Sequence, residues 1–152
     1  TNFTKVKESI ELLTDKICGK RKNIIDKPII LDVYSSNCPN LTIIDLPGLT
    51  RIPIDGQVKI SYSDNEHDQK VYAIASTIIL CVIPANQDIT NDEVLHLARK
   101  IDVNGERTIG CITKIDIMDR GTDARNLLMN KGEVPLMLGY VGIKNRSQAD
   151  IN

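Results

Sequence analysis

Two nearly uninterrupted apolar, β-branched runs, Thr77 to Ile83 and Thr108 to Thr113, flank a segment with helical periodicity, and this alternation constrains the fold most. Runs of this kind suit strands buried on both faces of a sheet. Between them, Thr90 and Glu93 have the spacing of a capping box. Val94, Leu97, Ala98 and Ile101 then fall on one helix face, and Asn104-Gly105 supplies a stop. Downstream, Thr122 to Asn130 reads as a helix with Ala124, Leu127 and Leu128 inward, ended near Gly132, and Gly139 to Ile143 as a final strand. Upstream, Val6, Ile10, Leu13 and Ile17 form one helical stripe that Gly19 ends, and Lys20 to Lys27 is a polar, basic connector. Ile29 to Tyr34 and Leu41 to Leu46 read as strands joined by a turn over Ser35 to Asn40, which predicts an antiparallel hairpin. Thr50 to Glu66 reads as a loop and Asp68 to Ser76 as a short helix. Alternating buried strands and amphipathic helices predict an α/β fold with a mostly parallel sheet and flanking helices.

Composition narrows the function classes. A chain of 152 residues fits one domain with a real core. A net charge of −1 and a pI near 6.1 argue against a nucleic-acid surface, which needs a basic footprint. Aromatic residues are 3% and Trp is absent, so single-strand stacking platforms are not expected either. The longest apolar run, Ile78 to Ile83, is too short to span a bilayer, and the first residues do not resemble a signal peptide. A membrane role is therefore expected to lie outside this segment. Cys18, Cys38, Cys81 and Cys111 are widely spaced and predict reduced thiols rather than a disulfide framework or a zinc site. His67 and His96 stand apart and read as solvated side chains.

In parallel sheets, ligands bind at the carboxyl ends of the strands. The strands ending at Leu46, Thr113 and Ile143 each deliver a polar motif there. In Thr113-Lys114-Ile115-Asp116, the Asp116 carboxylate can accept from the ring N–H and the exocyclic amine of guanine, a donor pair that adenine lacks. The Lys114 stem can lie along the base with its ammonium in water. Asn145-Arg146-Ser147 has backbone N–H groups and an amide suited to the guanine oxygen. In Asp45-Leu46-Pro47-Gly48, Asp45 can orient a magnesium-bound water, and Gly48, without a Cβ, lets its N–H approach a γ-phosphate closely. Singly, each also reads as an ordinary turn or charged loop; in this order, each after its own strand, they imply a GTP-binding domain. No Gly-x-x-x-x-Gly-Lys-Ser/Thr occurs in the 152 residues.

The words around these motifs, Leu41-Thr-Ile-Ile-Asp-Leu-Pro-Gly-Leu-Thr-Arg51, Pro84-Ala85-Asn86, Arg107 to Asp119, Gly121 to Arg125 and Gly139 to Gln148, resemble the dynamin superfamily of large GTPases. The resemblance implies a Ras-like P-loop GTPase sheet, enlarged by insertions, with residues 1–152 a partial dynamin-type GTPase domain. It implies that the phosphate-binding loop, the first strand, the catalytic Ser and a magnesium-holding Thr lie upstream of Thr1, so no catalytic residue is expected within the chain. The family's roles carry over to Asp45 and Gly48 for Mg2+ and the γ-phosphate, and to Lys114, Asp116, Asp119, Asn145, Arg146 and Gln148 for the guanosine of GTP or GDP. Gln87 and Asp88 match a stretch near the interface where two GTPase heads pair, with Asp88 equally an ordinary loop carboxylate.

The resemblance further implies a cytoplasmic, peripherally membrane-bound mechanochemical GTPase that remodels or cuts membranes. It would be a homo-oligomer through head and stalk, with lipid contacts outside this chain, the cytoskeleton as a further partner and no nucleic acid. The segment alone is expected to bind GTP weakly or not at all. The competing expectation is a non-catalytic module that pairs with full-length heads.

Overall fold

The computed structural model describes residues 3–19, 27–46, 74–89, 92–118 and 123–146. The chain divides into two compact units, Thr1–Asp68 and Gln69–Asn152.

In the first unit, the predicted stripe becomes helix α1, Phe3–Cys18. Gly19 ends it with φ +71°, a left-handed conformation that glycine adopts without a steric penalty, and its N–H donates to the Asp15 carbonyl. Val6 and Ile17 are half-buried, and Val6, Ile10 and Leu13 line a groove of about 270 Å³ against Ile29–Leu31. The expected turn is present: Asn37 N–H donates to Ser35 Oγ, and the Cys38 thiol to the Ser35 carbonyl. The expected hairpin is not. Residues 29–34 and 41–46 enter no ladder among the described residues, and Ile30 and Ile43 are 78% and 81% exposed. An isolated two-stranded ribbon is marginal in water, and Pro39 removes a donor at the turn.

The second unit holds strand β1 (Ile79–Pro84), helix α2 (Glu93–Ile101), strand β2 (Thr108–Thr113), a 3-10 turn (Ile115–Ile117), helix α3 (Arg125–Leu128) and strand β3 (Tyr140–Ile143). The strands form a parallel sheet in the order β1-β2-β3, as the alternation predicts. One face carries the core: Ile79, Cys81 and Ile83 from β1, Ile112 from β2 and Tyr140 from β3, joined by Leu95 and Ala98 of α2 and by Leu136. On the other face, Leu80 and Val82 are 58% and 56% exposed, so β1 is not buried on both faces as its composition predicts. Among the described residues β1 is an edge strand, covered by α2 on one side, whereas the central strand β2 is buried along most of its length.

Local details differ from the sequence expectation. The cap of α2 is Asp92, whose carboxylate accepts from Val94 N (2.9 Å) and Leu95 N (3.1 Å). Those are two of the first-turn N–H groups that a helix leaves unpaired. Thr90, expected as the cap, lies outside the described residues. Leu95 is fully buried, more so than Val94, Leu97 and Ile101. Helix α3 is one turn rather than the span Thr122–Asn130, because Asn130 takes a left-handed conformation (φ 56°) and turns its amide away to Leu136. Of the helix expected over Asp68–Ser76, residues 74–76 form a turn closed by Thr77 N–H to the Ile74 carbonyl, and the rest lies outside the described residues.

The cysteines separate by burial. Cys81 and Cys111 are buried, Cys18 is half-buried and Cys38 is exposed. Burial, with the nearby Asp92, Cys111 and Asp102, pushes the Cys81 thiol up to about 12, and burial also raises Cys111. The thiolate is the nucleophile, so both stay protonated and unreactive at neutral pH. Brief iodoacetamide treatment of the native protein is expected to label Cys38 and spare Cys81 and Cys111, with peptide mass spectrometry as the check; rapid labelling of Cys81 would contradict the core.

Candidate functional site

Parallel register aligns the three strand ends: Pro84 lies beside Thr113, and Thr113 beside Ile143. The segments that follow, 85–89, 114–118 and 144–146, therefore leave the sheet at one level. The end of β2 is pinned to β1. Ala85 N–H donates to the Thr113 carbonyl (2.8 Å), and the Thr113 hydroxyl donates to the Ile83 carbonyl (3.3 Å).

The chain then turns sharply. Lys114 has φ 58° and ψ 31°, a left-handed conformation uncommon for a residue with a side chain. The Ile117 N–H donates to the Lys114 carbonyl (3.2 Å) and closes the 3-10 turn. Strain of this kind, about 1–3 kcal/mol, gathers at sites where geometry matters to function. Lys114 and Asp116 are both exposed, with half-buried Ile115 between them. Asn145 and Arg146 follow β3 and are also exposed. Lys114, Asp116, Asn145 and Arg146 thus stand on neighbouring strand ends of one parallel sheet.

Gln87 and Asp88 follow β1. They line a depression of about 480 Å³ with Met118, Asp123, Leu127 and Val134, and none of Lys114, Asp116, Asn145 and Arg146 lines it. Asp45 lies near the end of the described residues 27–46 and is exposed. Gly48, Asp119 and Gln148 lie outside the described residues. No group of three or more His, Cys, Asp or Glu residues able to hold a metal occurs among the described residues, and no helix there is long and apolar enough to cross a membrane.

Sequence reading missed the residues that set the last strand. The Asn130 amide donates to the Leu136 carbonyl (2.7 Å) and accepts from the Leu136 N–H (3.0 Å), as a neighbouring strand would. The Tyr140 hydroxyl, kept protonated by burial, donates to the Val134 carbonyl (2.6 Å). Together they fix the approach to β3 and hence the start of the Asn145 segment. The signal was present as Asn130 six residues before the apolar Leu136, but no periodicity exposes such a clamp. Asn130→Ala removes both bonds and places a Cβ residue less tolerant than Asn at positive φ. It is expected to destabilise by about 2 kcal/mol, read as a lower urea midpoint with unchanged slope. A loss within about 0.5 kcal/mol, the range of ordinary surface changes, would show that the clamp is dispensable.

A family model described as Dynamin family matches residues 1–115. The chain is 47% identical over 152 residues to dynamin-2 of Homo sapiens, covering 99% of the chain and 17% of that relative. It is 48% identical over 153 residues to dynamin-3 of Homo sapiens, covering 100% of the chain and 18% of the relative. Against dynamin-B of Dictyostelium discoideum the identity is 46% over 156 residues, covering 99% and 16%. The chain therefore spans less than a fifth of the length of these relatives. A family match over residues 1–115 and 47% identity over 99% of the chain show that the chain belongs to the dynamin family.

Proposed function

We propose that residues 1–152 are part of one dynamin-type GTPase head, and that the protein carrying them binds and hydrolyses GTP to drive membrane remodelling or fission. The observation that carries this reading is the left-handed turn at Lys114, which ends the central parallel strand and sits beside the strand end bearing Asn145 and Arg146. In this reading Asp116 accepts from the guanine N–H groups and the Lys114 stem lies along the base. Asn145 and Arg146 buttress them, with Asp119 and Gln148 adding to the guanosine contacts. Asp45 and Gly48 sense Mg2+ and the γ-phosphate. Asp45 is exposed, which leaves its carboxylate open to a magnesium-bound water. Bound Mg2+ would neutralise charge on the phosphates.

Gln87 and Asp88 serve pairing between heads, and the protein assembles through head and stalk. It works from the cytoplasm as a peripheral membrane protein, with lipid contacts outside residues 1–152 and the cytoskeleton as a further partner. Calorimetric titration of the intact protein with GTP and ATP, magnesium present, together with phosphate release, tests the reading. GTP binding and hydrolysis with ATP indifference are expected. Equal binding of ATP would overturn it, and GTP binding without hydrolysis would favour a non-catalytic module that pairs with full-length heads.

A further inference from the structure

The turn that carries Lys114 and Asp116 is anchored from below by one side chain. Ile115 packs against the core of the second unit, while the residues on either side of it face solvent. Its Cδ1 lies 3.4 Å from the point where a Cβ on Gly142 would stand, and Leu128 Cδ1 and Cδ2 lie 3.5 Å from the same point. One side chain from the turn and one from α3 thus converge over bare backbone in β3. Gly142 pairs with Ile112, two residues before Lys114. The left-handed step at Lys114 folds the chain back so that Ile115 reaches this seat.

A 3-10 turn has three residues per turn, so the direction of one side chain fixes that of the next. With Ile115 held inward, Asp116 is held outward at a set angle. We infer that Ile115, seated on Gly142 and Leu128, is a positioning residue that orients the Asp116 carboxylate for base recognition. This rests on the reading of Asp116 as the guanine acceptor.

The seat explains why an apolar residue stands between two charged ones in an exposed loop. A carboxylate accepting two parallel hydrogen bonds tolerates little rotation, since such bonds weaken steeply as they bend. Truncating Ile115 empties the seat and leaves the turn free to tilt, at the expense first of the bond to the exocyclic amine. A hydrogen bond to a charged group is worth enough that its loss reduces affinity about tenfold.

The test compares GTP with ITP, which lacks the exocyclic amine, by calorimetric titration of the intact protein. The wild type should bind GTP more tightly than ITP and ignore ATP. Ile115→Ala should lose about tenfold in GTP affinity and at most about threefold for ITP, narrowing the ratio, while Ile115→Leu should keep it. Leu128→Ala, which empties the other half of the seat from a helix away from the base contacts, should narrow the ratio in the same direction. A general loss of folded protein lowers the titratable fraction for both nucleotides and leaves the ratio unchanged. A wild type that prefers GTP over ATP, with both alanine variants keeping the full GTP-over-ITP ratio, would overturn this inference alone. A wild type indifferent between GTP and ATP would overturn the base-reading assignment and this inference together.

Discussion

Asp116→Asn is expected to turn the preference of the intact protein from guanine to xanthine nucleotides. In the proposed base site, the wild-type carboxylate would offer two acceptors to the ring N–H and the exocyclic amine of guanine. An amide offers one acceptor and one donor, so its N–H₂ group would meet the guanine amine, donor against donor. Xanthine carries a carbonyl where guanine carries that amine, and the amide then pairs correctly at both positions. Sites built on such polar pairing reject a mismatched partner by about 10⁴. GTP affinity should therefore fall by about 10³ or more, and XTP should become the tighter ligand, as measured by direct titration of both. Asp116 is exposed, so the substitution carries no large cost to folding. Undiminished GTP preference in the variant would remove Asp116 from the base site.

The largest effect on stability is expected at Asp102. This residue, 7% exposed, caps the C-terminal end of α2 and collects three donors. The Glu106 N–H and the Arg107 N–H each donate at 3.0 Å and the Thr108 hydroxyl at 2.5 Å. The same corner ties the two strands at their entry: Arg107 Nη1 donates to the Thr77 carbonyl, and the Ile79 N–H to the Arg107 carbonyl. Burial alone would raise the Asp102 pKa, but the bonds from Thr108, Arg107 and Glu106 and the charge of Arg107 outweigh it and hold the carboxyl below its ordinary value.

Asp102→Ala leaves these donors facing a void and is expected to cost about 3 kcal/mol in urea unfolding of the intact protein, with Thr108→Ala costing less. A loss below about 0.5 kcal/mol would contradict the role. The pH dependence has a definite sign. A carboxyl whose folded pKa is depressed contributes fully above the unfolded value, about 3.9, and its contribution is lost as pH falls through the folded value. The difference in stability between wild type and Asp102→Ala should hold steady above pH ~5 and shrink below pH ~4.

The parts of the fold legible in the sequence were those decided by local pattern. The bounds of β2 match its apolar run, Gly19 stops α1 where expected, and β3 begins one residue after the expected Gly139. What pattern could not supply was partnership. Residues 29–34 and 41–46 have strand composition, yet a strand exists only when its backbone groups meet a neighbour, and none meets them among the described residues. The length of α3 was set by Asn130 turning its amide to Leu136, six residues on, a choice invisible to helical periodicity. The positions of Lys114, Asp116 and Asn145 after the ends of β2 and β3 were legible because each follows an apolar run that the sheet pairs in register. The seat beneath them was not, because Ile115, Gly142 and Leu128 look like ordinary residues until the sheet brings them together.

Hydrogen exchange of the intact protein, followed by mass spectrometry with and without GDP or ADP, tests the central claim most directly. If the strand ends of β2 and β3 form the guanine site, GDP should slow exchange in the peptides covering 114–118 and 144–146 together, and ADP should change neither. GDP binding that protects other segments while leaving both of these unchanged would contradict the account.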